Sequence, residues 1–101
     1  MTSYLEQKVR PIRRAIILAF LEKSKDFVSN AEILTSVVNG SADGVRVYYN
    51  DVVEDLRWLE ARGYVRVFGD SIVVAEALPP GLRIARNENV DPGISRDVLK
   101  A

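Results

Sequence analysis

The sequence predicts an α+β domain, mostly helical, built from three helices, a β-hairpin and a short C-terminal helix or turn. Three observations predict it. Apolar residues recur at helical spacing in three separate stretches, and two β-rich stretches then flank Gly69-Asp70. A chain of 101 residues, 48% hydrophobic and 28% charged, has room for a single small core. Residues 1–93 are expected to form one domain and residues 94–101 a mobile tail, with no internal repeat or low-complexity tract.

Val9, Ile12, Ile16, Phe20 and Leu21, with Ile17 alongside, give the first helix one broad apolar face. Pro11 lacks a backbone donor. Either the helix opens near Arg10 with proline in its first turn, or a short helix from Tyr4 meets it at a kink. Lys23 and Lys25 place cations at its carbonyl end. Ser29-Asn30-Ala31-Glu32 fits a capping box with the serine as cap, opening a second helix on Ile33, Leu34, Val37 and Val38 that ends at Asn39-Gly40.

Val45-Arg46-Val47 reads as a brief strand and Tyr48 to Arg62 as the third helix. Val52, Leu56 and Leu59 fall on one side of that helix, and Gly63 suits the left-handed position past its end. Asn50, Glu54, Arg57 and Ala61 fall on the other, which should meet solvent or a partner. The strands Tyr64–Phe68 and Ser71–Glu76 are expected to join through a two-residue type II′ turn. That register sets Phe68 opposite Ser71 and Arg66 opposite Val73, and gathers Val65, Val67, Ile72 and Val74 on the core face. Leu78-Pro79-Pro80-Gly81 ends the second strand, and Leu82 to Arg86 forms the last helix or turn.

Composition narrows function by exclusion. With no cysteine and no histidine, the chain lacks thiol nucleophiles, disulfides, thiolate metal sites and the usual general base. No nucleophile–base pair, phosphate loop or ligand cluster replaces them, so neither an enzyme nor a cofactor or metal site is expected. The longest apolar run, Ala15 to Leu21, is far too short to cross a bilayer, and the N-terminal stretch does not read as a secretory signal. A soluble, cytoplasmic protein without membrane contact is the expectation.

Fourteen basic and fourteen acidic side chains give no net charge, but they are unevenly spread. Residues 1–25 carry six basic and two acidic groups, whereas residues 26–63 carry three and seven. Lys8, Arg10, Arg13 and Arg14 form a basic cluster suited to phosphate. Trp58 sits between the buried and exposed sides of the third helix and is expected to pack in the core or at its edge.

The segment VYYNDVVEDLRWLEARGYVRVFGDSIVV, Val47 to Val74, resembles the recognition helix and wing of the winged helix-turn-helix superfamily. With RRAIILAFLEKS, SNAEIL and GLRIARNENVDPG it is most similar to the small winged-helix proteins of Mu-like phages and prophages, over about Ile12 to Gly93. The resemblance implies double-stranded DNA as partner, in transcriptional regulation or phage DNA handling, with the third helix in the major groove and the hairpin as wing. It places Tyr48, Tyr49 and Asn50 at the start of the reading helix, Val53 and Arg57 one and two turns on, Arg46 before it and Arg66 on the wing. Asparagine suits adenine, arginine guanine, and a valine methyl the thymine methyl. Arg13 and Arg14 would add phosphate contacts.

Charge departs from that pattern. The third helix sets Asp51, Glu54, Asp55 and Glu60 against Arg57 and Arg62, and the wing tip carries Asp70. Such a monomer should hold duplex weakly, which favours a homodimer. It also keeps an alternative open, in which the scaffold is a protein–protein interaction module for a phage or host partner.

Overall fold

A computed structural model describes residues 3–41 and 46–100. A π-helical turn, Leu5–Val9, runs into helix α1, Arg10–Lys23, so features of both expected openings are present: helical structure precedes Arg10, and α1 itself starts at Arg10. Pro11 lies in the first turn of α1 and is buried there. After a single 3-10 turn, Lys25–Phe27, come strand β1, Val28–Asn30, and helix α2, Ala31–Gly40. Helix α3, Tyr49–Ala61, leads to strands β2, Val65–Phe68, and β3, Val74–Ala77, and then to helices α4, Pro79–Ala85, and α5, Arg96–Lys100. The strands form an antiparallel sheet in the order β1-β3-β2.

Helix α1 is the axis of the core. It touches α2, α3, α4, α5 and β3, and so is enclosed around most of its girth. Ile17, Leu18 and Leu21 are fully buried there with Leu34, Val38, Val52, Leu56, Leu59, Val65 and Ile84. The enclosure moves the buried face away from the expected stripe: every residue from Arg13 to Leu18 is buried, while Ile12 and Phe20 are half-exposed.

The cap of α2 is Asn30, whose Oδ1 accepts the Ile33 N–H at 2.9 Å, and not Ser29, which is held in β1 by pairing with Ala75. Val45 lies outside the described residues, and Arg46 and Val47 make no strand. The third strand comes instead from Val28–Asn30, three residues without an alternating pattern to announce them. At the end of α3, Gly63 takes φ 78° as expected. The Gly63 N–H donates to Glu60 O and the Tyr64 N–H to Leu59 O, the paired bonds of a Schellman turn.

The hairpin register differs from expectation. Phe68 faces Val74, Val67 faces Ala75, Arg66 faces Glu76 and Val65 faces Ala77, a slide of three residues. An odd slide exchanges the two faces of β3. Ala75 and Ala77 therefore point into the core, Val74 joins Phe68 on the outer face, and Ile72 is exposed in the Gly69–Val73 loop. The cause lies on the far side of β3. Pairing with β1 and donation from the Ala31 N–H to Val73 O at 2.9 Å fix where β3 begins, so no two-residue turn forms.

Within the expected C-terminal tail, residues 94–100 make contacts with α1. Ile94 is buried, the Ser95 N–H donates to Pro11 O at 3.0 Å, and α5 packs on α1. Among the described residues no helix is long and apolar enough to cross a membrane.

Candidate nucleic-acid interface

The entry to α3 is set by one side chain. Asn39, in the last turn of α2, donates from Nδ2 to Val47 O at 3.0 Å and accepts the Val47 N–H on Oδ1 at 2.8 Å. Its amide thus pairs with Val47 as a neighbouring strand would, closing the link between the two helices. Val47 is buried beneath it. Tyr48 follows in extended conformation as the N-cap, and its N–H donates to Asp51 Oδ2 at 2.9 Å. Asp51 is therefore spent on the helix end, where a carboxylate is favoured by the free amides and the dipole.

That construction leaves a continuous exposed surface at the start of α3. Tyr48 is 67% exposed, Tyr49 and Asn50 are exposed, and Val53 is half-buried one turn on. The Arg46 guanidinium stands 5.9 Å from the Tyr48 ring centroid, within cation–π range. Glu54, Arg57 and Ala61 continue the surface, so the side of α3 expected to meet solvent does so.

The cations here are few and partly engaged. Arg57 Nη1 lies 3.5 Å from Glu60 Oε1, an exposed pair that a phosphate can displace at little cost. Glu60 is held from the other side, because its Oε2 accepts the Val67 N–H on the free edge of β2. On the hairpin, Arg66 donates from Nε and Nη2 to Glu76 Oε1 at 3.1 and 2.9 Å and lies 4.2 Å from the Phe68 centroid. Asp70 and Ile72 occupy the exposed loop beyond it.

Arg13 and Arg14 do not belong to this surface, contrary to the expectation of a phosphate-binding arm. Arg13 is 4% exposed and grips Asp55 of α3 through two bonds, Nε to Oδ2 at 2.8 Å and Nη2 to Oδ1 at 2.9 Å. Arg14 is 5% exposed, donates from Nη1 to Gly93 O at 3.1 Å, and stacks 3.8 Å from the Trp58 centroid. Of the same cluster, Arg10 pairs with Glu6 one turn back and Lys8 remains in solvent. The physical reason is the position of α1: a helix enclosed by four others has no free face at Arg13 and Arg14.

This burial also alters the charge of α3. Asp55 leaves the surface neutralised by Arg13, and Asp51 serves the helix end, so the acidity read from the sequence is larger than the acidity displayed. Desolvation pushes the Asp55 carboxyl above its ordinary range, opposed by the hydrogen bonds and charge of Arg13. Burial likewise lowers the Arg14 value, against the attraction of Asp55.

Trp58 is the centre of a second cluster. Arg62 lies 4.1 Å from the indole centroid. With Arg14 at 3.8 Å, two guanidiniums thus lie against the indole. Asp91 completes the arrangement: its Oδ2 accepts from Tyr64 Oη at 2.6 Å and lies 3.6 Å from Arg62 Nη1, and its Oδ1 accepts the Gly93 N–H at 2.8 Å. A Cβ at Gly93 would stand 2.5 Å from the indole, so only glycine fits there. The roles of Asn39, Asp91 and Gly93 escaped the sequence reading, since each acts on a residue distant in the chain.

Among the described residues no group of three potential metal ligands converges. No protein-family model matches this sequence, and no curated protein or solved structure matches it either.

Proposed function

We propose that the chain is a winged-helix DNA-binding domain of phage or prophage type, which reads duplex with the start of α3 and flanks it with the hairpin as a wing. The observation that carries this reading is the exposed run Arg46, Tyr48, Tyr49, Asn50 and Arg57, with Val53 half-buried among them, on a helix start held in place by Asn39. The order of helices and strands and the sheet order β1-β3-β2 support it. In this reading Asn50 contacts an adenine edge, Arg57 a guanine or a phosphate, and Arg46 and Arg66 phosphates.

Three cations, Arg46, Arg57 and Arg66, set the expected salt dependence. Neutralising about three phosphates gives a slope near −2.7 for log affinity against log salt, well short of that of a strongly basic repressor. Duplex binding measured by fluorescence anisotropy at low salt checks this. Arg46→Ala should weaken all sequences alike and reduce the slope by about one, while Asn50→Ala should cost about 1–3 kcal/mol at the preferred site alone. A slope twice as steep would place the phosphate contacts elsewhere.

A second reading rests on a separate observation. Arg57 and Arg66 are already bound to carboxylates of their own chain, while Ile33, Tyr48 and Ile72 are exposed, a balance that suits a protein partner in phage or host. Absence of duplex binding at low salt, together with capture of a protein partner that Tyr48→Ala abolishes, would establish this reading over the first.

A further inference from the structure

The side-chain amide that joins α2 to α3 belongs to the asparagine of this chain that is most prone to lose it. Asn39 is followed by Gly40, whereas Asn30, Asn50, Asn87 and Asn89 are followed by alanine, aspartate, glutamate and valine. Asparagine is a chemically labile residue. Its deamidation begins when the backbone nitrogen of the next residue attacks Cγ, and a side chain on that next residue obstructs the approach. Glycine has none. Asn39 and Gly40 are both exposed in the last turn of α2, so water and hydroxide reach them.

The fold opposes this reaction from two sides. Ring closure requires Asn39 to leave the helical backbone and its side chain to swing towards the Gly40 nitrogen. Helix α2, however, continues through Gly40, and the amide is held by Val47 at 3.0 Å through Nδ2 and at 2.8 Å through Oδ1. Attack therefore waits until the last turn of α2 and the bonds to Val47 open together. Helix ends fray at little cost, so the bonds to Val47, with the burial of Val47 beneath them, set how often this happens.

We propose that Asn39 is a site of covalent modification, a spontaneous deamidation that its own bonds to Val47 hold in check and that, once complete, leaves the α2–α3 join open. The Gly40 nitrogen gives its proton to hydroxide and bonds to Asn39 Cγ. The bond from Cγ to Nδ2 breaks, and Nδ2 takes a proton from water and leaves as ammonia, giving a succinimide. Water then adds to one of the two ring carbonyls and opens the ring to aspartate or isoaspartate. Aspartate sets a carboxylate against the Val47 carbonyl, and isoaspartate reroutes the main chain through Cγ. Neither keeps the donor to Val47 O, so the join does not re-form and the conversion runs one way. It does not depend on DNA binding, and its test uses no DNA.

Peptide mapping by mass spectrometry, on the full chain incubated at mildly alkaline pH in buffer and in urea, reads the conversion at each asparagine. Asn39 should convert while Asn30, Asn50, Asn87 and Asn89 keep their amides, and it should do so about tenfold or more faster in urea, where nothing holds the amide. Val47→Ala, which thins the packing under the two bonds, should speed the conversion in buffer by about fivefold or more. Gly40→Ala should abolish it: a Cβ there meets nothing within 4 Å, so the variant folds, yet the methyl shields the nitrogen. Deamidated chains, separated from the parent by anion exchange, should unfold at a lower urea midpoint. If Asn39 converts no faster than the other asparagines, the site is overturned. Equal rates in buffer and urea, or a folded Val47→Ala chain no faster than wild type, overturn the gate, and the comparison of buffer with urea stands whether or not that variant folds. Deamidated chains with the parent's midpoint overturn the opening of the join.

Discussion

Arg13 and Asp55 show how much a charged side chain's role depends on where its helix lies. The pair joins α1 to α3 through two hydrogen bonds with both partners almost wholly out of water. Removing one partner strands the other as a buried charge, so Asp55→Ala should lower stability by about 3–5 kcal/mol, read from urea midpoints. Replacing both, as Arg13→Met with Asp55→Leu, should recover most of that loss, because well-packed apolar residues often substitute for a buried pair at no net cost. A double variant as unstable as the single one would mean that packing, and not charge, sets the penalty. Tyr64 supplies a second test at this scale. Burial raises its phenol above the ordinary value of 10.0, and the hydrogen bond and charge of Asp91 raise it further. Between the unfolded and the folded value the native chain keeps a proton that the unfolded chain has lost, so stability is full below pH 10 and falls as pH rises above it. Tyr64→Phe should flatten this alkaline loss, and an unchanged slope would assign it to other groups.

At the scale of elements, the decisive join is that between α2 and α3. Asn39 holds Val47 by both its N–H and its C=O, and Val47 leads directly into the cap of α3. Asn39→Ala leaves two backbone groups unpaired and should cost about 1–3 kcal/mol, with faster hydrogen exchange at the Val47 amide and weaker duplex binding through a displaced Asn50. Asn39→Asp is the sharper probe: it keeps the acceptor for the Val47 N–H but sets a carboxylate against the Val47 carbonyl, so it should be no better than alanine. Asn39-Gly40 was legible in the sequence only as a helix end. The span of α3 was legible because its apolar stripe is long and Gly63 marks its end. The hairpin register was not, because partners outside the hairpin fix it: β1 and the Ala31 N–H determine where β3 starts. Likewise β1 and α5 are too short for periodicity to separate from loop. The burial of Arg13 and Arg14 was hidden for a further reason: two adjacent arginines look the same in sequence whether solvent or four helices surround them. The exposed face of α3 was foreseen, but the structural use of Asp51 and Asp55 was not, and so its acidity was overstated.

For the whole molecule, residues 91–95 close a ring that begins in α1. Chain segments far apart in sequence meet at Trp58: Arg14 from α1, Arg62 and Tyr64 from the end of α3 and the approach to β2, and Asp91 and Gly93 from the turn before α5. Ile94 then enters the core, and the Ser95 N–H bonds to the first turn of α1. The C-terminal segment is therefore a strap that ties α1 to the Trp58 side of α3. Gly93→Ala tests the strap with the smallest possible change. The new methyl would meet the Trp58 ring at 2.5 Å, a distance no relaxed Cβ contact reaches, so the indole or the strap has to move. If the strap moves, Arg14 loses its carbonyl partner at Gly93 and Asp91 loses the Gly93 N–H, while α2 and α3 keep their own contacts. The expected result is a stability loss of about 1–3 kcal/mol with a changed environment for Trp58, the only tryptophan in the chain, visible as a red shift of its emission. Duplex affinity should fall with it although residue 93 lies outside the proposed interface. A Gly93→Ala protein with native emission and native stability would show that the strap is slack, and that α1 and α3 hold their angle through Arg13 and Asp55 alone.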